Sequence, residues 1–312
     1  YDSSKGIWKI TSAGSYRFNG TGNNDAPILI DHIDSGTVKV YLNNVNIHSA
    51  DRTPPLRITN TVHADVYIYL ESSNLLQSTY INSAALQIDG TTKLIIDNSP
   101  GTNGSLTANS SKHGTGIGSS GNSDLSPAFH IIIKGGAVTA SSFRSMGIGG
   151  NNSNITIKGG LVKVSSDQWC AIGGTKSNIT IDGGSVKASS RTHFGIKSSS
   201  LTINGGSVTA SSEEEPKEDI SSNQIIINGG SVKASSVSSS PTNDHGEKVY
   251  CCTIENLNSK KVIIDQNLKP WEPNNHQAVN PTDTNLYAWL TGEDHIVNVG
   301  TERRSYIFDS ED

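Results

Sequence analysis

The sequence has few of the residues that build an ordinary globular core. Of its 312 residues, 33% are hydrophobic, 6% are aromatic and 17% are charged, and there is one methionine. So little apolar content usually indicates disorder, because the chain cannot bury enough apolar surface to offset the entropy lost on folding. Here, however, Ile, Val and Leu occur in short alternating runs between Gly, Asn and Ser, which is typical of many short β-strands.

Three further absences narrow the classes of site and partner. The spacing of the three cysteines, Cys170, Cys251 and Cys252, is not that of a zinc site or a disulfide framework. The net charge of −5 provides no basic field, so nucleic acid is not an expected partner. No apolar run approaches the roughly 18 residues of a membrane span, so we expect none.

An internal repeat dominates the middle of the chain. Five segments share the pattern Ile/Leu-x-Ile-x-Gly-Gly-x-Val-x-Ala/Val-Ser-Ser, or differ from it only slightly, at residues 131–142, 155–166, 179–190, 201–212 and 225–236. Their first glycines are 24, 24, 22 and 24 residues apart, and a Gly-Ile-Gly-like motif lies between copies. Each period therefore holds three short extended runs. Such a unit cannot bury its apolar face alone, so its copies must stack.

Stacking of this unit predicts an all-β, single-stranded, right-handed parallel β-helix. Alternation places Ile155, Ile157 and Val162 on one side of the strands and Thr156 and Lys163 on the other. Equivalent strands then pair in parallel about 4.8 Å apart, and parallel crossovers are almost always right-handed. We expect an N-terminal cap (1–24), the β-helix (25–265, with regular coils at 110–240), and an irregular C-terminal cap (266–312) whose hairpin joins 287–290 to 296–299.

One column of the coils carries the aromatic side chains Trp169 and His193, one coil apart and in line with Ser145. Alternation points this column outward. The flat C–H faces of sugar rings stack on exposed indole rings at little cost in side-chain entropy. We therefore predict Trp169 and His193 as ligand contacts, and the alternative is a Trp folded onto the wall beneath a loop.

A second outward column contains Lys163 and Lys187 in neighbouring coils. Two adjacent ammonium groups repel each other unless an anion lies between them, and an acidic polysaccharide would supply carboxylates. Together with Arg191, beside the aromatic column, they complete the predicted ligand-binding set. The alternative is a solvated surface that prevents aggregation at strand edges.

Signatures of catalysis are few in this sequence. A polysaccharide lyase on such a scaffold needs clustered carboxylates for calcium and a nearby Arg or Lys base. The aspartates are spread along the axis, and the regular coils show no adjacent outward pair for a glycoside hydrolase. We therefore predict no catalytic residue, and we assign no metal ligand.

Two N-terminal segments and the repeats together resemble a known family. Ile10-Thr-Ser-Ala-Gly-Ser-Tyr16, Leu42-Asn-Asn-Val-Asn-Ile47 and the Ile-x-Gly-Gly-x-Val-x-Ala repeats are similar to those of clostridial and gut-bacterial surface proteins. These proteins carry carbohydrate-binding β-helix domains similar in structure to polysaccharide lyases, and the likeness covers roughly 7–240. It implies an extracellular or cell-surface protein that binds plant or host polysaccharide, with calcium in some members.

These observations favour a non-catalytic, adhesin-type domain that binds a polysaccharide and requires no cofactor, although calcium remains open. Two alternatives also remain open. One is a lyase or hydrolase that acts on acidic glycans from a site in the less regular coils. The other is a structural solenoid or one that binds a host protein.

Overall fold

A computed structural model describes residues 1–121, 128–214, 218–255, 262–264, 285–292, 295–299 and 301–306. In these residues all regular structure is β-strand, and no helix is long and apolar enough to cross a membrane. The strands of the first four coils are β1 (Trp8–Ile10), β2 (Gly14–Asn19), β3 (Ile28–Ile30), β4 (Thr37–Asn43), β5 (Asn46–Ser49), β6 (Leu56–Ile58), β7 (Asp65–Leu70), β8 (Ser73–Ser78), β9 (Leu86–Ile88), β10 (Lys93–Asn98) and β11 (Ser105–Ser110).

The remaining strands continue the coils and then leave them. They are β12 (Ile117–Gly118), β13 (His130–Ile133), β14 (Ala137–Ser142), β15 (Ile148–Gly149), β16 (Asn154–Ile157), β17 (Leu161–Ser166), β18 (Ile172–Gly173), β19 (Asn178–Ile181), β20 (Ser185–Ser190), β21 (Ile196–Ile203), β22 (Ser207–Ser212), β23 (Ile220–Ile227), β24 (Ser231–Lys233), β25 (Val249–Ile254), β26 (Val262–Ile264), β27 (Leu286–Thr291), β28 (His295–Val299) and β29 (Glu302–Tyr306).

The strands stack into three parallel faces around one core, as a parallel β-solenoid of about nine turns. The first face contains β1, β3, β6, β9, β12, β15 and β18, and the second contains β2, β4, β7, β10, β13, β16 and β19. Strands β21 and β23 run through both, so these two faces form one sheet. The third face contains β5, β8, β11, β14, β17, β20, β22 and β24. The predicted fold class is confirmed; its handedness stays a prediction.

The register of the strands keeps like residues in line along the axis. Ile131, Ile155, Ile179, Leu201 and Ile225 are successive partners on the second face, and all five are buried. Earlier in the chain the coils are longer. Val38, Val66 and Leu94 are 28 residues apart and are in-register partners in β4, β7 and β10, so this spacing also corresponds to one coil. Outward residues therefore also form columns, and these columns position any surface site.

Parallel pairing begins before the predicted boundary at residue 25. β1 and β2 pair with β3 and β4, so part of the segment expected as a cap forms the first coil. Each of these two strands has a partner on one side only. The short runs Trp8–Ile10 and Gly14–Asn19 carry mostly exposed side chains, which explains why the apolar pattern did not identify them.

At the other end the last parallel pairing among the described residues is an isolated bridge from Thr242 to β23, after which the chain leaves the stack. The predicted hairpin is wrong: β27 pairs antiparallel with β25, whereas β28 pairs with β26 and β29. The reason is that β27 lies against the last strand of the third face, where the Trp289 Nε1–H donates to the Val232 carbonyl at 3.0 Å. The expected irregular stretch 266–284 lies outside the described residues.

Glycine pairs make the turn between the second and third faces. The second glycine of each pair has a positive φ, between 82° and 87° at Gly136, Gly160, Gly184, Gly206 and Gly230. A Cβ at Gly184 would lie 2.8 Å from the Gly160 carbonyl oxygen of the preceding coil. Both the backbone conformation and the close stacking of coils therefore require glycine there.

Substitution of Gly184 should separate the effect of the positive φ from that of the close stacking of coils. We expect Gly184→Ala to lower the free energy of unfolding by more than Gly101→Ala, since Gly101 also has a positive φ, of 78°, but open space around its missing Cβ. The φ strain common to both costs about 1 kcal/mol, and the backbone clash adds to it only at Gly184. Urea unfolding of the two variants measures the difference; equal losses would show that stacking leaves room for a methyl group.

Candidate functional site

A row of small side chains runs along the third face, where the sequence repeats Ser-Ser. The first serine of each pair faces outward at Ser141, Ser165, Ser189 and Ser211, and these positions are in register with one another and with Asn109 of the preceding coil. Because the side chains are short, the surface is lower here than on either side. The row belongs to five successive strands, so at a spacing of about 4.8 Å it extends about 19 Å along the axis.

Larger side chains line one side of this row, and an exposed column runs parallel to its other side. That column contains Thr139, Lys163, Lys187 and Thr209, two residues before the serines, and it lies outside the lining of the depression. On the other side lie Phe143, Asp167, Arg191 and Glu213, which directly follow the Ser-Ser pairs. The resulting depression, the third-face groove, has a volume of about 460 Å³.

Hydroxyl groups on the floor of the groove are available to a ligand. The Ser141 hydroxyl donates to the Asn109 side-chain oxygen at 2.8 Å. Those of Ser165, Ser189 and Ser211 lie at least partly exposed and form no hydrogen bond within the described part of the chain. Each can donate one hydrogen bond and accept two. The floor thus offers a polar group once per coil.

An ion pair links neighbouring coils in the wall of the groove that contains Asp167 and Arg191. The Arg191 guanidinium donates two hydrogen bonds to the Asp167 carboxylate, at 2.5 and 3.1 Å, and a third to Glu214 at 3.3 Å. These bonds lower the pKa of Asp167, against a smaller opposing effect of desolvation. The predicted ligand residue Arg191 therefore lines the groove, with its charge already paired.

Lys163 and Lys187 lie where the sequence predicted, as exposed in-register neighbours. Neither ammonium group forms an ion pair with any described residue. Two like charges one coil apart make the surface beside the groove positive, and an anion between them would relieve their repulsion.

The second serine of each pair faces inward and holds the next turn in place. The Ser190 hydroxyl donates to the Trp169 carbonyl of the preceding coil at 2.6 Å and accepts from the His193 N–H at 3.0 Å. The Ser166 hydroxyl does the same with Ser145 and Trp169. This buried ladder of hydroxyls fixes the turn that carries the predicted aromatic column.

The structure brings Trp169 and His193 together, with ring centroids 4.9 Å apart and planes at 36°. Their exposure differs from the prediction: both are half-buried, and the Trp169 indole nitrogen is buried without a hydrogen-bond partner among the described residues. Ser145 of the same column is fully buried rather than outward. Residues 167–169 are a bend, not a strand, so strand alternation does not set the direction of their side chains.

A group of three tyrosines on the second face was not singled out from the sequence. Tyr41, Tyr67 and Tyr69 lie on the neighbouring strands β4 and β7 and are all half-exposed. The Tyr41 and Tyr69 rings stack at 4.9 Å, and Tyr67 lies 5.9 Å from Tyr69 with nearly parallel planes. We call these residues the tyrosine cluster. Alternation in Val38–Leu42 and Val66–Leu70 was a signal that points all three outward.

Polar and charged groups surround the tyrosine cluster. The Arg17 guanidinium lies 5.4 Å from the centre of the Tyr41 ring and donates to Glu71 at 2.5 Å. The Lys134 ammonium lies 5.8 Å from the centre of the Tyr67 ring. Burial raises the pKa of Tyr69, and the neighbouring Tyr41, Tyr67 and Asp97 raise it further.

Residues suited to metal binding are not gathered among those that the structure describes. No group of three or more His, Cys, Asp or Glu side chains there is placed to hold an ion. Cys170 is fully buried in the core, and its burial raises the pKa of the thiol to about 12, so it remains protonated.

Comparison with known families gives two partial matches. Residues 4–96 match the family described as carbohydrate-binding domain-containing protein, and residues 131–152 and 201–212 match a beta helix repeat. No curated protein and no solved structure is significantly similar to the chain. The first match fits a carbohydrate-binding role, and the second agrees with the observed solenoid. All three members of the tyrosine cluster lie within the first match, whereas the groove begins after it.

The adjacent serines Ser189 and Ser190 provide a matched test of the inward ladder. Ser190→Ala should lower the free energy of unfolding by about 1–3 kcal/mol, because it leaves a buried carbonyl and N–H without their partner. Ser189→Ala removes only an outward hydroxyl and should change it by at most about 0.5 kcal/mol. Denaturant unfolding checks both, and similar effects of the two substitutions would contradict the assigned role of the ladder.

Proposed function

We propose that the chain is a non-catalytic, polysaccharide-binding domain of an adhesin-type protein, secreted or attached to a cell surface. The third-face groove is its principal binding site. A single observation carries this proposal: the groove is long and narrow, follows the axis, and offers one polar group per coil. One pyranose unit of an extended glycan is similar in length to the spacing of the coils, so successive sugars would meet equivalent hydroxyls.

Positive charge beside the groove supports an acidic glycan. Lys163 and Lys187 lack acidic partners among the described residues, so a carboxylate between them would gain attraction without first breaking an ion pair. Arg191 already binds Asp167 and forms part of the groove wall instead. Trp169 and His193, in the turn just beyond that wall, would contact the ligand with the ring surface that remains exposed. The match of residues 4–96 supports carbohydrate as the ligand class.

Removal of the two free lysines should weaken binding to acidic polysaccharide. The variant Lys163→Thr/Lys187→Thr introduces the residue that Thr139 and Thr209 already provide in the same column, so we expect it to fold normally. Its affinity for immobilised polygalacturonate should fall about tenfold, which corresponds to about 1.4 kcal/mol. Added salt should weaken the wild type more than the variant, because exposed charges are screened.

A control at another face separates this effect from a general loss of charge. Lys158→Thr removes an exposed lysine from the second face and should leave retention unchanged. Mucin and neutral plant polysaccharides, each with and without calcium, test the ligand class and any need for the ion. Equal retention of all variants would contradict the groove as the site. Release of unsaturated product absorbing in the ultraviolet would contradict a non-catalytic role.

A further inference from the structure

We infer that the tyrosine cluster is a second glycan-binding site, separate from the groove. It would bind a pyranose ring through contact between sugar C–H groups and the aromatic rings of Tyr41, Tyr67 and Tyr69. This inference goes beyond the proposed function, because it gives one solenoid two binding surfaces.

Tyr67 belongs to a column whose members in later coils are smaller. The column that contains Tyr67 continues through Ile95 and Ile132 to Thr156 and Thr180 in later coils, with the same backbone pairing. Threonine is sufficient to form the outward surface in those later coils, whereas Ile95, next to Tyr67, is buried. The three large rings on two neighbouring strands therefore present more apolar area than the later coils of the same face.

The composition of the cluster suits a sugar. Tyrosine offers a large apolar surface and a polar hydroxyl, and it loses little side-chain entropy on binding. Arg17 and Lys134 approach two of the rings, and Glu71 lies beside them in an ion pair with Arg17. An aromatic centre with a few polar groups around it is the usual make-up of a small-ligand site, and these groups can bind the hydroxyls of a stacked pyranose.

The position of the cluster supports the same ligand class independently of the groove. The carbohydrate-binding match at residues 4–96 contains all three tyrosines, with Arg17 and Glu71, but no residue of the groove. The cluster lies on the second face and the groove on the third. A glycan held at one site therefore leaves the other open, and occupation of both by one polymer would raise the apparent affinity through effective concentration.

Substitution by threonine tests the cluster, because threonine already occupies the Tyr67 column in later coils. We expect Tyr67→Thr/Tyr69→Thr to weaken retention on at least one of polygalacturonate, xylan and galactan by about tenfold. Tyr67→Phe/Tyr69→Phe keeps the rings and should retain most of the binding. Thr180→Ala, in the same column as Tyr67, should have no effect. Thermal unfolding of each variant verifies that the solenoid remains intact.

The binding results of the two sets of variants distinguish between the two proposed sites. If the threonine variant binds all three polysaccharides like the wild type while Lys163→Thr/Lys187→Thr loses binding, the inference is overturned and the groove stands. The reverse result supports the cluster and overturns the groove. If both act, the combined variant should lose more than either alone. Failure of the wild type to bind any polysaccharide overturns both proposals.

Discussion

Parallel stacking of equivalent residues, one coil above the next at about 4.8 Å, is the constraint on which the rest of this structure depends. It allows no side chain at the second glycine of each Gly-Gly turn, where a Cβ at Gly160 would lie 2.4 Å from the Gly136 carbonyl oxygen. It also lets inward serines such as Ser190 bridge the backbone of successive coils. Turn, core and hydroxyl ladder are thus consequences of one spacing.

The same spacing makes the surface an array of columns rather than a set of loops. A column of small residues becomes a groove if its neighbours are larger, as in the row through Ser165 and Ser189. A column that gathers rings becomes an aromatic surface, as with Tyr41 and Tyr69. Repetition at a fixed distance suits a repetitive ligand, and a polysaccharide is such a polymer. Binding sites on this scaffold can therefore arise from outward substitutions that leave the core unchanged.

Residues within strands were predictable and residues within turns were not. Period-two alternation correctly placed Ile155 and Val162 inward and Lys163 and Lys187 outward. The same rule failed for Ser145 and overstated the exposure of Trp169, because these residues lie in bends whose direction is set by hydrogen bonds to Ser142 and Ser166. The pairing of β27 with β25 was likewise not predictable, because the apolar pattern carries no information about strand partners.

The sequence by itself determined the repeat, the parallel coil, the inward residues and the in-register lysines, because a period of two within strands and about 24 between them leaves one way to bury the apolar side chains. Only the tertiary structure decided the depth of the groove, the ion pair of Arg191 with Asp167, and the meeting of Tyr41 with Tyr67 and Tyr69. Those features depend on the relative sizes of side chains in adjacent columns and on turn geometry, which emerge when the coils are stacked.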